Sequence, residues 1–297
     1  MGNRSYHLSQ RVSSNPSVLT PAQAQLVIAM QNIPTLTQRR VNPQWGMRTS
    51  IEMVGTNNYN AGYFKFDRRL VNGLLIGANY TWSASLGDSD GGTRLQDEKN
   101  RHLEYGRNGN DRPHRFVVHY VWQTPGKRFW GGWRVSGVSQ WQSGRPFGII
   151  TGVDSNGDGT STITTSLDRP DYNPRGVLRL DPVTGDWRSF STPIDGSGIF
   201  LTPLTTAGTP LQYSMPFGGN LGRNTFRGPG FALWNMSVMK PFTITERIRL
   251  ELRADSTNLF NHRNFGPPNA NMNAVNFGRN ESNPPSRVIL LGAKIRF

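Results

Sequence analysis

Apolar and polar residues alternate with a period of two in several stretches of the chain. In residues 74–84, Leu74, Ile76, Ala78, Tyr80, Trp82 and Ala84 oppose Leu75, Gly77, Asn79, Thr81 and Ser83. In 116–122, Phe116, Val118, Tyr120 and Trp122 oppose Val117, His119 and Val121. In 133–142, Trp133, Val135, Gly137 and Trp141 oppose Arg134, Ser136, Gln140 and Gln142, and in 234–240 Trp234, Met236 and Val238 oppose Asn235 and Ser237. The clearest case is 247–255, where Ile248, Leu250, Leu252 and Ala254 oppose the fully charged row Arg247, Arg249, Glu251, Arg253 and Asp255. The chain closes on the same pattern: Ile289, Leu291, Ala293, Ile295 and Phe297 on one side, Gly292, Lys294 and Arg296 on the other. A period of two places such sets on opposite faces of a strand. Residues 63–69, with Phe64 and Phe66 against Lys65 and Asp67, predict one further strand.

The spacing of these strands is uneven in a regular way. Short turns are predicted at Leu70-Val71-Asn72-Gly73, 124–132 and 242–246. Between the pairs lie long Gly- and Pro-rich polar segments, 85–112, 143–228 and 261–286. Loops beyond about 15 residues are uncommon in compact soluble domains. Short turns alternating with long loops characterise transmembrane β-barrels, whose long loops lie outside the cell. With Phe297 at the periplasmic end, Trp122, Trp130, Trp133 and Phe242 fall at the lower strand ends, and Tyr80, Trp82, Trp141 and Trp234 at the upper ends. Two aromatic girdles are expected at the two interfaces of a membrane barrel. The competing arrangement is a β-sandwich with these rings in its core.

The N-terminal third is less regular. Thr20-Pro21 followed by 22–31 predicts a short capped helix, 50–54 a strand in an extracellular excursion, and 3–8 the top of a strand whose body lies upstream. The fold expected is all-β: an antiparallel up-and-down transmembrane β-barrel of roughly seven or eight strands with long extracellular loops, running through residues 1–297 without a domain linker.

Composition sharpens the picture. Of 297 residues only 35% are hydrophobic, and no run approaches the 18 apolar residues of a transmembrane helix. A membrane strand needs only about 9–11 residues, with every second one apolar. The absence of Cys excludes disulfides, thiol catalysis and Cys-ligated metals. No apolar stretch follows Met1, so a signal peptide is not read here, and an outer-membrane location implies a true start further upstream. The net charge of +14 comes from 33 basic and 19 acidic residues spread along the whole chain. No basic cluster or nucleic-acid motif accompanies it, so the expected counterparts are anionic lipopolysaccharide or an anionic cargo rather than nucleic acid.

Candidate chemistry is sparse. Asp154, Asn156 and Asp158, followed by Gly159, match the opening of a calcium loop, although Thr165 stands at the twelfth position where a bidentate Glu belongs and Asp168 is the available substitute. The alternative is a polar turn in an external loop. The charged row Arg247, Arg249, Glu251, Arg253 and Asp255, with Lys294 and Arg296 on the last strand, reads as paired charges lining a polar lumen. The histidines, His7, His102, His114, His119 and His262, lack metal-ligand spacing. No nucleophile elbow, P-loop or dinucleotide fingerprint is present, and no enzyme activity is expected. No cofactor is required, with Ca²⁺ the one candidate.

Several segments carry a family resemblance: Gly2-Asn-Arg-Ser-Tyr-His-Leu, residues 59–70, Ala78-Asn-Tyr-Thr-Trp-Ser, Arg112-Pro-His-Arg-Phe-Val-Val-His-Tyr-Val and Gly131-Gly-Trp-Arg-Val-Ser-Gly. They continue with Gln142-Ser-Gly-Arg-Pro-Phe, Asp168-Arg-Pro-Asp, Arg227-Gly-Pro-Gly, Thr245-Glu-Arg-Ile-Arg-Leu, Asn258-Leu-Phe-Asn-His-Arg-Asn-Phe and the terminal strand. In that order they resemble the C-terminal barrel of TonB-dependent outer-membrane receptors of the Oar-like type, which begin with a carboxypeptidase-regulatory-like domain. The resemblance implies active uptake of a bulky nutrient (siderophore, glycan or peptide), with TonB, a plug domain, the barrel-assembly machinery and an external ligand as partners. It makes 289–297 the insertion signal. Such barrels have 22 strands around a plug. The chain therefore reads as a C-terminal portion without plug or TonB box, not expected to transport by itself. A non-transporting outer-membrane adhesin and a secreted glycan-binding β-sandwich are the alternatives.

Overall fold

The computed structural model describes residues 2–13, 40–46, 48–89, 95–97, 100–126, 131–152, 168–172, 178–180, 187–189, 200–201, 219–272 and 274–297. Eight long strands form one antiparallel sheet: β1 (Gly2–Ser13), β2 (Thr49–Val71), β3 (Leu74–Gly87), β4 (His114–Gln123), β5 (Arg134–Gln142), β6 (Phe231–Thr243), β7 (Arg249–Thr257) and β8 (Val288–Arg296). Each pairs with the next in chain order, and the sheet is not closed. The two-residue strand Gly106–Arg107 adds to the top of β3. Among the described residues the only helical piece is a single 3-10 turn, Arg101–Glu104.

The lower turns are tight because their residues allow it. Asn72 and Gly73 have φ of 52° and 80°, the pair of positive values that a two-residue hairpin turn requires. A Cβ on Gly73 would stand 2.3 Å from the Gln123 carbonyl, so only glycine lets the end of β4 close against this turn. Between β6 and β7 the amides of Ile244 and Thr245 donate to the Ile248 carbonyl, and the Ile248 amide donates to Thr245 Oγ1. The connections from β3 to β4, β5 to β6 and β7 to β8 leave from the opposite end of the sheet.

The register decides which rows share a face. Phe64 pairs with Tyr80, Tyr80 with Phe116, and Phe116 with Trp141. Trp141 pairs with Ala232, Val238 with Ala254, and Ala254 with Leu291. Directly opposed residues point to the same side, so every apolar row read from the sequence lies on one face. That face has no protein layer against it: Trp82 is 52% exposed, Ile295 60% and Leu291 81%. Among the described residues the buried apolar side chains, Leu95, Ile149, Leu221 and Phe277, all sit in the outer connections. A dry interior shared by the strand rows, which a sandwich needs, is not formed by them. At about 25 cal/mol per Å², an apolar face of this extent is unfavourable in water and needs no partner in hydrocarbon. Strands β4, β5, β7 and β8 have 10, 9, 9 and 9 residues, the length of one tilted bilayer crossing.

Three expectations are corrected. Residues 50–54 and 63–69 belong to one continuous 23-residue strand, β2, whose upper part pairs with β1. Alternation lapses at 55–62, where Gly, Asn and Thr predominate, but pairing does not. Arg247 lies in the β6–β7 turn, because β7 begins at Arg249. Ser85 is still within β3. The helix expected at 22–31 lies outside the described residues.

One pair shows how the face is fitted. Gly137 sits opposite Tyr120, and a Cβ there would meet the Tyr120 hydroxyl at 2.7 Å and the Asn235 carbonyl at 2.7 Å. The tyrosine ring lies over the glycine and covers its backbone.

The two faces predict opposite responses to charge at one depth. Val118 lies mid-strand on the apolar face, and Val138 lies one register position away on the other. Val118→Arg is expected to cost about 2–4 kcal/mol, and Val138→Arg less than about 0.5 kcal/mol. Equilibrium denaturant unfolding in phospholipid vesicles measures both.

Candidate functional site: the polar face and the outer loop layer

The polar face carries the charged row. Arg249, Glu251 and Arg253 stand opposite Arg296, Lys294 and Gly292. Two ion pairs form: Arg253 to Asp255 at 2.8 Å along one strand, and Arg296 to Glu251 at 3.8 Å across the pair. Both are largely solvated, so each contributes about 0–1 kcal/mol; they set the polarity of the surface more than its stability. A groove of about 420 Å³ runs beside them, lined by His119, Ser136, Asn235, Ser237, Asp255 and Thr257. At its side Gly77 makes room for two functional groups, since a Cβ there would stand 2.3 Å from the His119 ring and 2.8 Å from Asp67 Oδ1. Val117, Val121 and Val138 interrupt the polarity of this face.

Above the sheet the long connections fold into a layer of their own. Its apolar centre is Ile149, Leu221 and Phe277, with Phe147, Tyr172, Phe226 and Met272 packed against them. Its polar centre is Asp168-Arg-Pro-Asp. Arg169 donates from Nη1 to both carboxylate oxygens of Glu104 at 3.0 and 2.9 Å, from Nε to the Leu221 carbonyl at 2.8 Å, and from Nη2 to the Leu103 carbonyl at 3.1 Å. Gln96 completes the knot: its side-chain oxygen accepts from the Arg169 amide, its NH2 donates to the Gly219 carbonyl, and its own amide donates to Glu104. The β3–β4 and β5–β6 connections are thereby tied together by fully satisfied buried groups, the condition under which a buried charge pair is tolerated.

Two further knots fasten this layer to the strand tops. Asp111 accepts the Ser85 amide and the guanidinium groups of Arg107 and Arg227. Arg112 and Arg145 complete this cluster. Burial, together with the charges of Arg145 and Arg227, pulls the Arg112 guanidinium below its usual range, while Asp111 opposes the shift. Asn258, with φ of 53°, donates to the carbonyls of His262 and Pro285 and accepts the His262 amide. Asn264 then caps both backbone groups of Ala232, where β7 no longer reaches β6. Asn258 and Asn264 of the Asn258-Leu-Phe-Asn-His-Arg-Asn-Phe motif thus take over where strand pairing stops.

Residues 1–289 match the family described as outer membrane beta barrel domain. The chain belongs to that family. It is accordingly a protein of the bacterial outer membrane, with lipid against the apolar face. A search of curated proteins found no match. Among solved structures, FpvA of P. aeruginosa bound to a heterologous pyoverdine with iron is similar at 9% identity and a TM-score of 0.38. The likeness covers 87% of this chain and 22% of that one, and it is too distant to carry an argument.

In this barrel domain Tyr80, Trp82, Trp141 and Trp234 lie at the outer strand ends on the lipid face. Trp122 and Phe242 lie at the inner ends of their strands, and Trp133 directly precedes β5. Trp130, Asp154, Asn156, Asp158 and Thr165 lie outside the described residues. Asp168, considered as a calcium ligand, is buried, and its carbonyl accepts from the Thr151 amide and hydroxyl. Among the described residues no group of three or more metal-ligating side chains forms. Lys294 and Arg296 stand opposite Glu251 and Arg249 of β7, and Arg247 lies in the turn before that strand. Ile289, Leu291, Ala293 and Ile295 continue the lipid face to the edge strand.

Sequence reading missed one residue. Lys240 has the parity of the lipid face, pairs with Leu252, and is only 2% exposed. Its ammonium donates to the Gly131 carbonyl at 3.0 Å and lies 4.9 Å from the Trp133 ring centre and 5.3 Å from that of Phe242. A lysine breaking an apolar row beside two girdle aromatics was the available signal.

The buried knot gives a sharp expectation. Arg169→Ala leaves Glu104 charged and unpaired, which costs about 3–5 kcal/mol. The loop layer is expected to become sensitive to externally added protease, while heat-modifiable migration of the barrel is retained. Limited proteolysis on intact cells measures the first, and electrophoresis of unboiled samples the second.

Proposed function

We propose that this barrel domain is the C-terminal part of a TonB-dependent receptor of the Oar-like type. In this reading the loop layer captures a bulky nutrient, and a plug domain rearranged by TonB lets it pass the polar face. The observation that supports it is the structured layer over the strand tops, held by Arg169, Glu104 and Gln96, above a sheet face lined with charge. The ordered motif series read from the sequence points the same way. A loop layer with its own core presents a fixed surface to a ligand at small ordering cost. The chain's own residues offer capture and a polar wall; the energy-coupling parts belong to the complete receptor. We assign no catalytic step to it. An adhesin shares every surface feature and differs only in lacking energy-dependent transfer.

Cells with the complete receptor and cells lacking it are to be compared for depletion of siderophores, oligosaccharides and peptides from the medium, with and without an uncoupler. The expected result is energy-dependent depletion of one class, reduced to background when residues 153–218 are removed. Surface binding that persists unchanged under the uncoupler, with no depletion, supports the adhesin instead.

Calcium is proposed for Asp154, Asn156 and Asp158. With a site of this kind, Ca²⁺ raises loop resistance to protease and EGTA reverses the effect, whereas Asp154→Asn with Asp158→Asn abolishes the difference. Equal digestion in Ca²⁺ and EGTA removes the assignment.

A further inference from the structure

Two tyrosines of β2 stand on the polar face and are turned to water there: Tyr59 is 41% exposed and Tyr63 73%. Directly opposed residues share a side, and the register sets Tyr63 opposite Thr81, Thr81 opposite Arg115, and Arg115 opposite Gln142. One row thus crosses four strands in the order phenol, hydroxyl, guanidinium, amide. At about 4.8 Å per strand it is about 14 Å long. It lies one pair inside the start of β4, at the depth of Tyr80 and Trp82 on the other face. It is therefore the first level of the polar wall beneath the loop layer. Tyr59 stands about 14 Å higher on the same side of β2.

The charge in this row is uncommitted. Arg115 is exposed, and among the described residues no carboxylate pairs with it. Lys65, two positions below Tyr63, is by contrast held by Asp67 at 2.7 Å. Gln140 donates to the Gln142 side-chain oxygen at 3.3 Å, which leaves the Gln142 NH2 as a donor. Together these groups describe one ligand chemistry. The C–H face of a sugar ring meets the negative face of a phenol. Hydroxyl and amide groups bond sugar hydroxyls, and a guanidinium forks onto a carboxylate. A carboxylate ligand without sugar rings uses Arg115 alone and leaves both phenol faces in water. We propose that this row binds an oligosaccharide that carries carboxylates, with one ring against Tyr63, its carboxylate on Arg115, and an earlier ring against Tyr59. The inference rests on the uptake reading and names its cargo class.

Calorimetric titration and saturation-transfer NMR of the full chain in detergent test this with three probes: trigalacturonate, its methyl ester and triglutamate. Trigalacturonate is expected to bind with saturation concentrated on its ring C–H protons, and the ester and triglutamate each about tenfold more weakly. Tyr63→Ala should weaken both sugar probes about tenfold, and Tyr63→Phe should keep most of the affinity. Arg115→Ala should lower trigalacturonate to the level of the ester and leave the ester unchanged, a split that loss of fold does not produce. Phe64→Ala, on the lipid side, should change nothing. Triglutamate bound as tightly as trigalacturonate overturns the proposal. So does an unchanged titration in Tyr63→Ala, and so does failure of both sugars to bind. Uptake by cells separates the two readings. Energy-dependent depletion of a siderophore or peptide, with no binding of trigalacturonate, removes this inference and leaves uptake standing. Binding of trigalacturonate with no energy-dependent depletion of any class supports the row and removes uptake.

Discussion

Everything in this molecule follows from the requirement that backbone amides and carbonyls in hydrocarbon find partners within the protein. An unpaired group there costs several kcal/mol. A sheet meets the requirement internally, strand by strand, and the seven antiparallel ladders from β1 to β8 do so. The same requirement explains why Asn264 occupies both backbone groups of Ala232 where β7 falls short, and why the Asn258 amide donates to Asn235 as β7 ends. It also makes the two edges matter. Along β1 and β8, and along the part of β2 below Asn60 that β1 does not reach, backbone groups face outward in the open sheet. A stable bilayer form has both edges paired.

Once the backbone is satisfied within the sheet, the side chains are divided between solvents. A soluble protein gathers its apolar residues inside; here the apolar rows are turned out, and the residual core moves into the connections, around Ile149, Leu221 and Phe277. That core is small, so the loop layer depends on polar knots to a degree that a soluble domain does not. The Arg169–Glu104 pair is nearly fully buried on both sides. Its desolvation is offset only because every donor also finds a carbonyl or carboxylate. The knot therefore specifies one arrangement of two connections more than it stabilises them.

The division also explains what was legible beforehand. Faces were legible because a period of two maps each residue to one side whatever its partner, and the rows from Leu74 to Ile295 survive intact. Strand ends were less so. The alternation of 247–255 continues through Arg247 and Ile248, yet pairing begins at Arg249, because the turn is set by hydrogen bonds to Ile248 that composition does not reveal. Residues 50–54 and 63–69 looked separate because Gly, Asn and Thr dilute the pattern without ending the ladder. The loop layer was illegible. Its decisive contacts join Gln96 to Gly219 and Glu104 to Arg169, separations of 123 and 65 residues, and no local spacing encodes them. The motif Asp168-Arg-Pro-Asp stood out as a string, but its role as the centre of the knot lies in those distant partners.

Lys240 joins the two themes. A lysine on the lipid face costs about 2–4 kcal/mol at the bilayer midplane and about 0–1 near an interface. Lys240 lies in the lower girdle, between Trp133 and Phe242, and its ammonium reaches the Gly131 carbonyl in the adjoining turn. Ring faces and a carbonyl replace part of its hydration. Such a residue is tolerable only within a narrow band of depth. Its position, together with Trp122 and Phe242 at the same strand ends, therefore fixes where hydrocarbon gives way to water on the periplasmic side. The residue that breaks the apolar pattern is the one that marks the boundary of the membrane it crosses.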